Sequence, residues 1–181
     1  GAEIVTALQR IVSRTTNPIE AVVISVTQFH AGTNMNVIPE TVSIKGTCRA
    51  LGRGVQDTVE ARMRQVIAGI ASAHGLTAEI IYDRRYPVLV NTPEETVKAA
   101  AAAAIVVGAE NVNTDHPPTM GSEDFAWMLQ ERPGCYIRVG NGEGEDGGCV
   151  VHNPNYDFND EAALYGASYW AALVEQELSP I

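Results

Sequence analysis

The order of hydrophobic periodicities between Ile4 and Tyr86 limits the folds open to this chain more than any other feature. Ile4, Val5, Leu8, Ile11 and Val12 recur at helical spacing and predict an amphipathic helix, which Asn17-Pro18 ends. Residues Ala21 to Phe29 are rich in valine and isoleucine and read as a strand. A polar turn from Gly32 to Pro39 follows, then a second strand from Thr41 to Ala50. In that strand Val42, Ile44 and Cys48 share one face, while Ser43, Lys45, Thr47 and Arg49 share the other. Gly52 and Gly54 precede a second helix lined by Val55, Val59, Met63, Val66, Ile67 and Ile70, with Gly75 as its C-cap. Ala78 to Tyr86 predicts a third strand, stopped by Pro87. Helix, strand, strand, helix, strand is a βαββαβ ferredoxin-like unit lacking its first strand.

A new section begins near Asn91. Thr92 reads as an N-cap, Pro93 as the first helical residue and Glu95 as the partner completing a capping box. The alanine run from Ala99 to Ala104 has the highest helix propensity available, and Gly108 closes the helix. Ser122 is a good N-cap for a short helix through Leu129, with Glu123 and Asp124 in its first turn. Cys135 to Val139 predicts a short strand. The stretch from Asn141 to Gly148 is a glycine- and acid-rich loop expected to be exposed. A last helix runs from about Glu161 to Glu177, with Tyr165, Tyr169, Trp170, Leu173 and Val174 on its buried side. The fold class is therefore α/β (α+β) in two domains, residues 1–88 and 89–181.

Composition removes several functions. The chain has 181 residues, 45 % apolar and 19 % charged, which is globular rather than disordered. A net charge of −10 argues against a nucleic-acid partner, since that affinity comes from Lys and Arg neutralising phosphates. Acidity also argues against an anionic membrane surface, and no apolar run approaches bilayer length. The Gly-Ala-Glu start shows no basic stretch before an apolar core, so no signal peptide is expected. The three cysteines, Cys48, Cys135 and Cys149, form neither a disulfide framework nor zinc-finger spacing. A reducing, cytoplasmic setting is the simplest account of them.

The stretch Val151-His152-Asn153-Pro154-Asn155-Tyr156-Asp157-Phe158-Asn159-Asp160 sets one histidine in a turn before a helix. Imidazole is the commonest metal ligand, and a loop–helix junction can hold it toward a cleft. A surface histidine packed beside Tyr156 and Phe158 fits the same residues.

This decapeptide resembles the C-terminal signature of metal-dependent amidohydrolases of the aminoacylase–carboxypeptidase family. That family includes hippurate hydrolases, N-acyl-amino-acid amidohydrolases and indole-acetyl-amino-acid hydrolases. Two further stretches resemble it in the same order. Gly32-Thr33-Asn34-Met35-Asn36-Val37-Ile38-Pro39, with Gly46-Thr47-Cys48-Arg49, is similar to the lid signature. Gly121-Ser122-Glu123-Asp124-Phe125 is similar to a segment upstream of the last metal ligand.

The resemblance implies a partial lid/dimerisation domain over residues 1–88, then the C-terminal part of a two-metal catalytic domain over 89–181. It implies His152 as the last metal ligand. Asn36 would reach from the lid toward substrate, or stay a turn residue. Arg49 could grip a substrate carboxylate with two hydrogen bonds, or remain an exposed sheet arginine. The other ligands and the glutamate base belong to upstream segments that this sequence does not contain, so no catalytic residue is assigned here. The expected reaction is hydrolysis of the amide bond of N-acyl amino acids, with this chain as a fragment. The expected cofactor is a divalent pair of zinc, manganese, cobalt or nickel in the complete enzyme, and this chain alone need not hold one. The expected partner is a second copy, joined through the lid. The alternative is a non-catalytic homodimerisation module or a truncated, inactive family member.

The remaining polar candidates carry weaker expectations. His30 is read as structural, or as supporting the site from outside. His74 is expected to cap the second helix and interact with its dipole. His116, in Asp115-His116-Pro117-Pro118, has an open role. Glu123 and Asp124 fit either groups orienting the metal end of the cleft or plain helix-start carboxylates.

Overall fold

The structure is a computed structural model that describes residues 1–142 and 148–178. The chain forms two compact units. One comprises Gly1–Val88 with Thr119–Glu123, and the other Leu89–Pro118 with Asp124–Ile181. Among the described residues no helix is long and apolar enough to cross a membrane.

In the first unit, helix α1 (Ala2–Arg10) runs into a single π turn, Ile11–Thr15. The Ile11 carbonyl ends it by accepting from the Thr16 amide and from the Thr15 and Thr16 hydroxyls, each at 2.9 Å. Strands β1 (Val22–Ala31) and β2 (Val42–Ala50) pair antiparallel from Val22 opposite Ala50 to Ala31 opposite Val42. A bulge between Val26 and Gln28 shifts the register. Gly46 lies opposite Val26, and a Cβ there would run into the Ser25 carbonyl. Only glycine lets the strands approach this closely.

Helix α2 (Arg53–Ala73) ends in a Schellman motif. The Leu76 amide donates to the Ala71 carbonyl at 2.8 Å and the Gly75 amide to Ser72 at 3.0 Å, with Gly75 at φ 68°. This confirms the glycine stop read from the sequence. Leu8, Ile11, Val22, Ile24 and Val59 form the core, with Cys48 and Ala50 of β2 packed against it. One face of the hairpin is thus covered by α1 and α2.

The third strand predicted over Ala78–Tyr86 does not form. A strand is defined by a hydrogen-bonded neighbour, and among the described residues β1 and β2 are the only ladder. Side chains hold the segment instead. Arg64 Nη1 donates to the Ile80 carbonyl at 3.1 Å. Arg84 donates to Asp57 Oδ1 at 2.6 Å and, through Nε and Nη2, to Glu60 Oε2 at 2.8 and 2.6 Å. Burial first, and the nearby Cys48 thiol second, push the Tyr82 phenol above its ordinary value.

The second unit contains α3 (Pro93–Val107), a 3₁₀ turn at Ala109–Asn111, α4 (Phe125–Glu131) and α5 (Asp160–Glu177). Thr92 is the N-cap of α3 and Pro93 its first residue, but the capping box is not made. The Thr92 hydroxyl accepts from the Gly134 amide at 3.1 Å, and Glu95 pairs with Lys98 at 3.0 Å. Gly108, at φ 81°, closes the helix as predicted.

The strand predicted over Cys135–Val139 is also absent. The Asn91 side chain takes the place of a neighbouring strand: its Oδ1 accepts from the Tyr136 amide at 2.9 Å, and its Nδ2 donates to the Tyr136 carbonyl at 2.9 Å. Helix α4 starts two residues later than predicted, with Asp124 rather than Ser122 as N-cap. Glu123 and Asp124 therefore precede the helix instead of lying in its first turn.

Ala99, Ala102 and Tyr169 form the core where α3 meets α5, with Leu173, Cys135 and Ile137 packed on it. Three residues expected on the buried side of α5 are not buried. Tyr165, Trp170 and Val174 are 48 %, 61 % and 53 % exposed. The alanine face of α3 admits Tyr169, and Trp170, one residue on, points away from it. The glycine- and acid-rich loop predicted at Asn141–Gly148 falls mostly on 143–147, outside the described residues.

Candidate functional site

His152 lies in a β-turn closed by the Asn153 amide donating to the Val150 carbonyl at 3.1 Å. Its φ is 72°, and among the described residues it is the one non-glycine residue in the left-handed region. A positive φ at the third position is the mark of a type II turn, where glycine or asparagine is usual. A histidine there is uncommon and carries strain of roughly 1 kcal/mol. The imidazole is exposed.

Asparagines build the rest of the stretch. Asn153 Oδ1 accepts from the Asn155 amide at 2.9 Å, and the Asn153 carbonyl accepts from the Tyr156 amide at 2.9 Å. These bonds form an Asx turn around Pro154. Asn141 then clamps the run, its Nδ2 donating to the Asp157 carbonyl and its Oδ1 accepting from the Asn159 amide, both at 3.0 Å. Asn159 caps α5 by accepting from the Glu161 amide at 3.1 Å. These bonds order the chain from Asn153 to the start of α5, directly after the turn that holds His152. The clamp by Asn141 was not foreseen, because nothing in a glycine-rich loop marks an asparagine that reaches across to Asp157 and Asn159.

An open hollow lies nearby, walled by Val139, Cys149, Val151, Tyr156, Phe158 and Ala162. His152 is not part of its wall.

Asn36 occupies the centre of an exposed turn closed by the Val37 amide and the Asn34 carbonyl at 3.4 Å. Met35 and Ile38 beside it are almost fully exposed. Arg49 is half-buried on β2, and neither expectation for it describes what it touches. Its Nη1 donates to the Met120 carbonyl at 2.8 Å and to the Ser122 hydroxyl at 2.9 Å. Both hydrogens of that nitrogen are used, which leaves Nε and Nη2 as the edge that could meet a carboxylate. The partners are more than seventy residues apart, and no local pattern announces them.

The remaining histidines stand apart from these residues. His30 is exposed on β1 opposite Ser43. His74 is the C-cap of α2, as expected, and its Nε2 lies 2.7 Å from Glu3 Oε2 on α1. His116 Nδ1 lies 2.8 Å from the Pro117 carbonyl. Among the described residues no three His, Cys, Asp or Glu side chains converge on a point that could hold a metal ion. A zinc centre needs three or four ligands. The residues described here do not by themselves fit a metal pair, and no catalytic step is derived through one.

Comparison with known proteins shows what the whole chain resembles. The sequence model of Peptidase family M20/M25/M40 matches residues 3–176. The chain is 33 % identical over 177 residues to thermostable carboxypeptidase 2 of Saccharolobus solfataricus, covering 94 % of this chain and 43 % of that protein. It is 32 % identical over 170 residues to hippurate hydrolase of Campylobacter jejuni, again covering 94 % and 43 %. The crystal structure of the Bacillus subtilis YXEP protein, described as a dinuclear metal binding peptidase from the M20 family, superposes with a TM-score of 0.73 at 29 % identity. That match covers 99 % of this chain and 46 % of the solved one. The chain thus spans less than half the length of these relatives.

Proposed function

The chain belongs to peptidase family M20/M25/M40, and on that premise we propose that it is the lid and C-terminal catalytic portion of an amidohydrolase that cleaves N-acyl amino acids of the hippurate type. The observation that carries this reading is the decapeptide around His152. A histidine in a strained backbone conformation, followed directly by an asparagine-bonded turn and a helix cap, is an arrangement that surface packing does not require. The similarity to hippurate hydrolase over 94 % of the chain supports the same substrate class.

In this reading residues 1–88 are the ferredoxin-like lid and residues 89–181 the end of the catalytic domain. The extended Ala78–Tyr86 segment would be the last lid strand, waiting for the first strand of the βαββαβ order. His152 is one ligand of a divalent metal pair, as the description of the YXEP protein suggests by analogy. Asn36 and the Nε–Nη2 edge of Arg49 orient the substrate. The remaining ligands and the general base come from the part of the family fold that this chain does not span. The protein works as a cytoplasmic homodimer joined through the lid. Oxygen and nitrogen donors alone do not choose among zinc, manganese, cobalt and nickel.

A second reading is favoured by the absence of convergent metal ligands among the described residues. There the chain is a non-catalytic dimerisation module. Intact mass, metal content and release of glycine from hippurate, measured on the protein purified from its source, separate the two. The amidohydrolase reading expects a longer species or a co-purifying second polypeptide, bound metal and turnover, with metal and turnover both lost in His152→Ala. A single species of this chain's mass, metal-free, dimeric and inert toward hippurate, establishes the module instead.

A further inference from the structure

We infer that Arg49 is a positioning residue that seats the Thr119–Glu123 excursion on the outer face of β2. Side chains alternate along a strand, and Cys48 packs into the core beneath α1 and α2. Arg49, one residue on, therefore projects from the opposite face of the hairpin. There it meets five residues that the chain inserts into the first unit between Pro118 and Asp124, which both belong to the second.

The excursion forms no helix and no strand. Side-chain bonds therefore carry more of its order than they would in a ladder. One guanidinium nitrogen donates to two acceptors spaced two residues apart, the Met120 carbonyl and the Ser122 hydroxyl. The donor is charged at every pH of interest, and bonds from a charged donor are about twice as strong as neutral ones. They bracket Gly121. Arg49 thus fixes the Gly121-Ser122-Glu123-Asp124-Phe125 stretch by its middle. This role goes beyond the proposed function and stands or falls separately from it, since it requires neither a metal nor a particular substrate.

A double-mutant cycle read by thermolysin cleavage tests the inference. The protease cuts before large apolar side chains, so the Thr119–Met120 bond reports the excursion. Bonds before Met35 and Val37 in the exposed Gly32–Pro39 turn report the rest of the same unit. Arg49→Ala is expected to speed cleavage before Met120 about tenfold, with the control sites unchanged. Ser122→Ala should speed it less, because the Met120 bond survives, and should add nothing once Arg49 is gone. Arg49→Lys should fall between wild type and Arg49→Ala, since an ammonium keeps the charge and loses the planar fork.

Three results would each overturn the inference. In the first, Ser122→Ala has equal effects in both backgrounds. In the second, the rate before Met120 in Arg49→Ala stays within about twofold of wild type. In the third, the control sites accelerate in step, which is general loosening of the unit. Should Arg49→Ala fail to fold, Ser122→Ala and Arg49→Lys decide the matter: each must speed cleavage before Met120 alone, and failure of either rejects the role.

Discussion

The two units bury their helices in different ways. In the first, five branched aliphatic side chains drawn from α1, its π turn, β1 and α2 close on one another. In the second, two alanines of α3 receive a single tyrosine of α5. The outward faces differ as well. Helix α5 carries Leu164, Trp170 and Val174 open to solvent, and α3 carries Val97 and Ile105. A helix that is apolar all round belongs to the interior of a larger body. The first unit thus has a core of its own, whereas the second has one side of a core. The same contrast accompanies a chain that covers 43 % of its curated relatives.

The largest effect expected from this contrast is in the aliphatic core. Leu8 is buried to 3 % exposure, and Leu8→Ala should cost about 3 kcal/mol through lost burial and the cavity left behind. Both tryptophans, Trp127 and Trp170, lie in the second unit, so tryptophan fluorescence reports that unit alone while circular dichroism reports both. In urea, Leu8→Ala should move the dichroism transition and leave the fluorescence transition in place. A joint shift would break the division into two cores.

Next in size is a test of how tightly α3 meets α5. Ala102 is fully buried at that contact, and its neighbour Ala101 is exposed. Ala102→Val should cost about 2 kcal/mol by overpacking, whereas Ala101→Val should cost about 0.5 kcal/mol through helix propensity alone. Fluorescence-monitored urea unfolding of the pair reads the difference. Equal costs would mean that the alanine contact is loose and that the second unit has no packed core.

What the sequence disclosed follows the same line between local and distant causes. The helices were legible because a repeat of apolar residues and a cap lie within a few turns of one another, as Gly75 and Gly108 show. The hairpin was legible because β1 and β2 are neighbours in sequence. The strands read at Ala78–Tyr86 and Cys135–Val139 have strand composition, but pairing depends on a partner that composition does not supply. Arginines and an asparagine hold those backbones instead. The thin core of the second unit misled in another way. Where nearly every position from Ala162 to Val174 is apolar, periodicity does not tell Tyr169 from Trp170. At the candidate site, His152 was visible as a turn histidine. Its Asn141 clamp and the Arg49–Ser122 bond join residues far apart in sequence, and neither partner has a local signature.

A smaller effect concerns the charged seam that ties the extended segment to α2. Hydrogen bonds from Arg84 and then Arg64 hold the Glu60 carboxyl below its ordinary value of about 4.5. A carboxyl depressed on folding contributes stability that is present above its unfolded value and is lost as pH falls through its folded value. Below about pH 4.5 the first unit should therefore lose stability faster in the wild type than in Glu60→Gln, which has no charge to lose. Dichroism-monitored melting across that range checks the slope. Identical slopes would show that the seam contributes nothing and that the aliphatic core alone sustains the unit.

The smallest effect is the one that bears most directly on the half-built core. Trp170 stacks edge-on against Tyr169 with ring centroids 5.3 Å apart, yet stays 61 % exposed. In this chain alone Trp170→Gln should change stability by no more than about 0.5 kcal/mol, as for other exposed positions. Dichroism-monitored urea unfolding is the readout, since the substitution removes one of the two fluorophores. A cost of about 3 kcal/mol, typical of a buried aromatic, would mean that the face of α5 is already covered. The second unit would then have a core as closed as that of the first, and the contrast between them would rest on the identity of the side chains rather than on a missing layer.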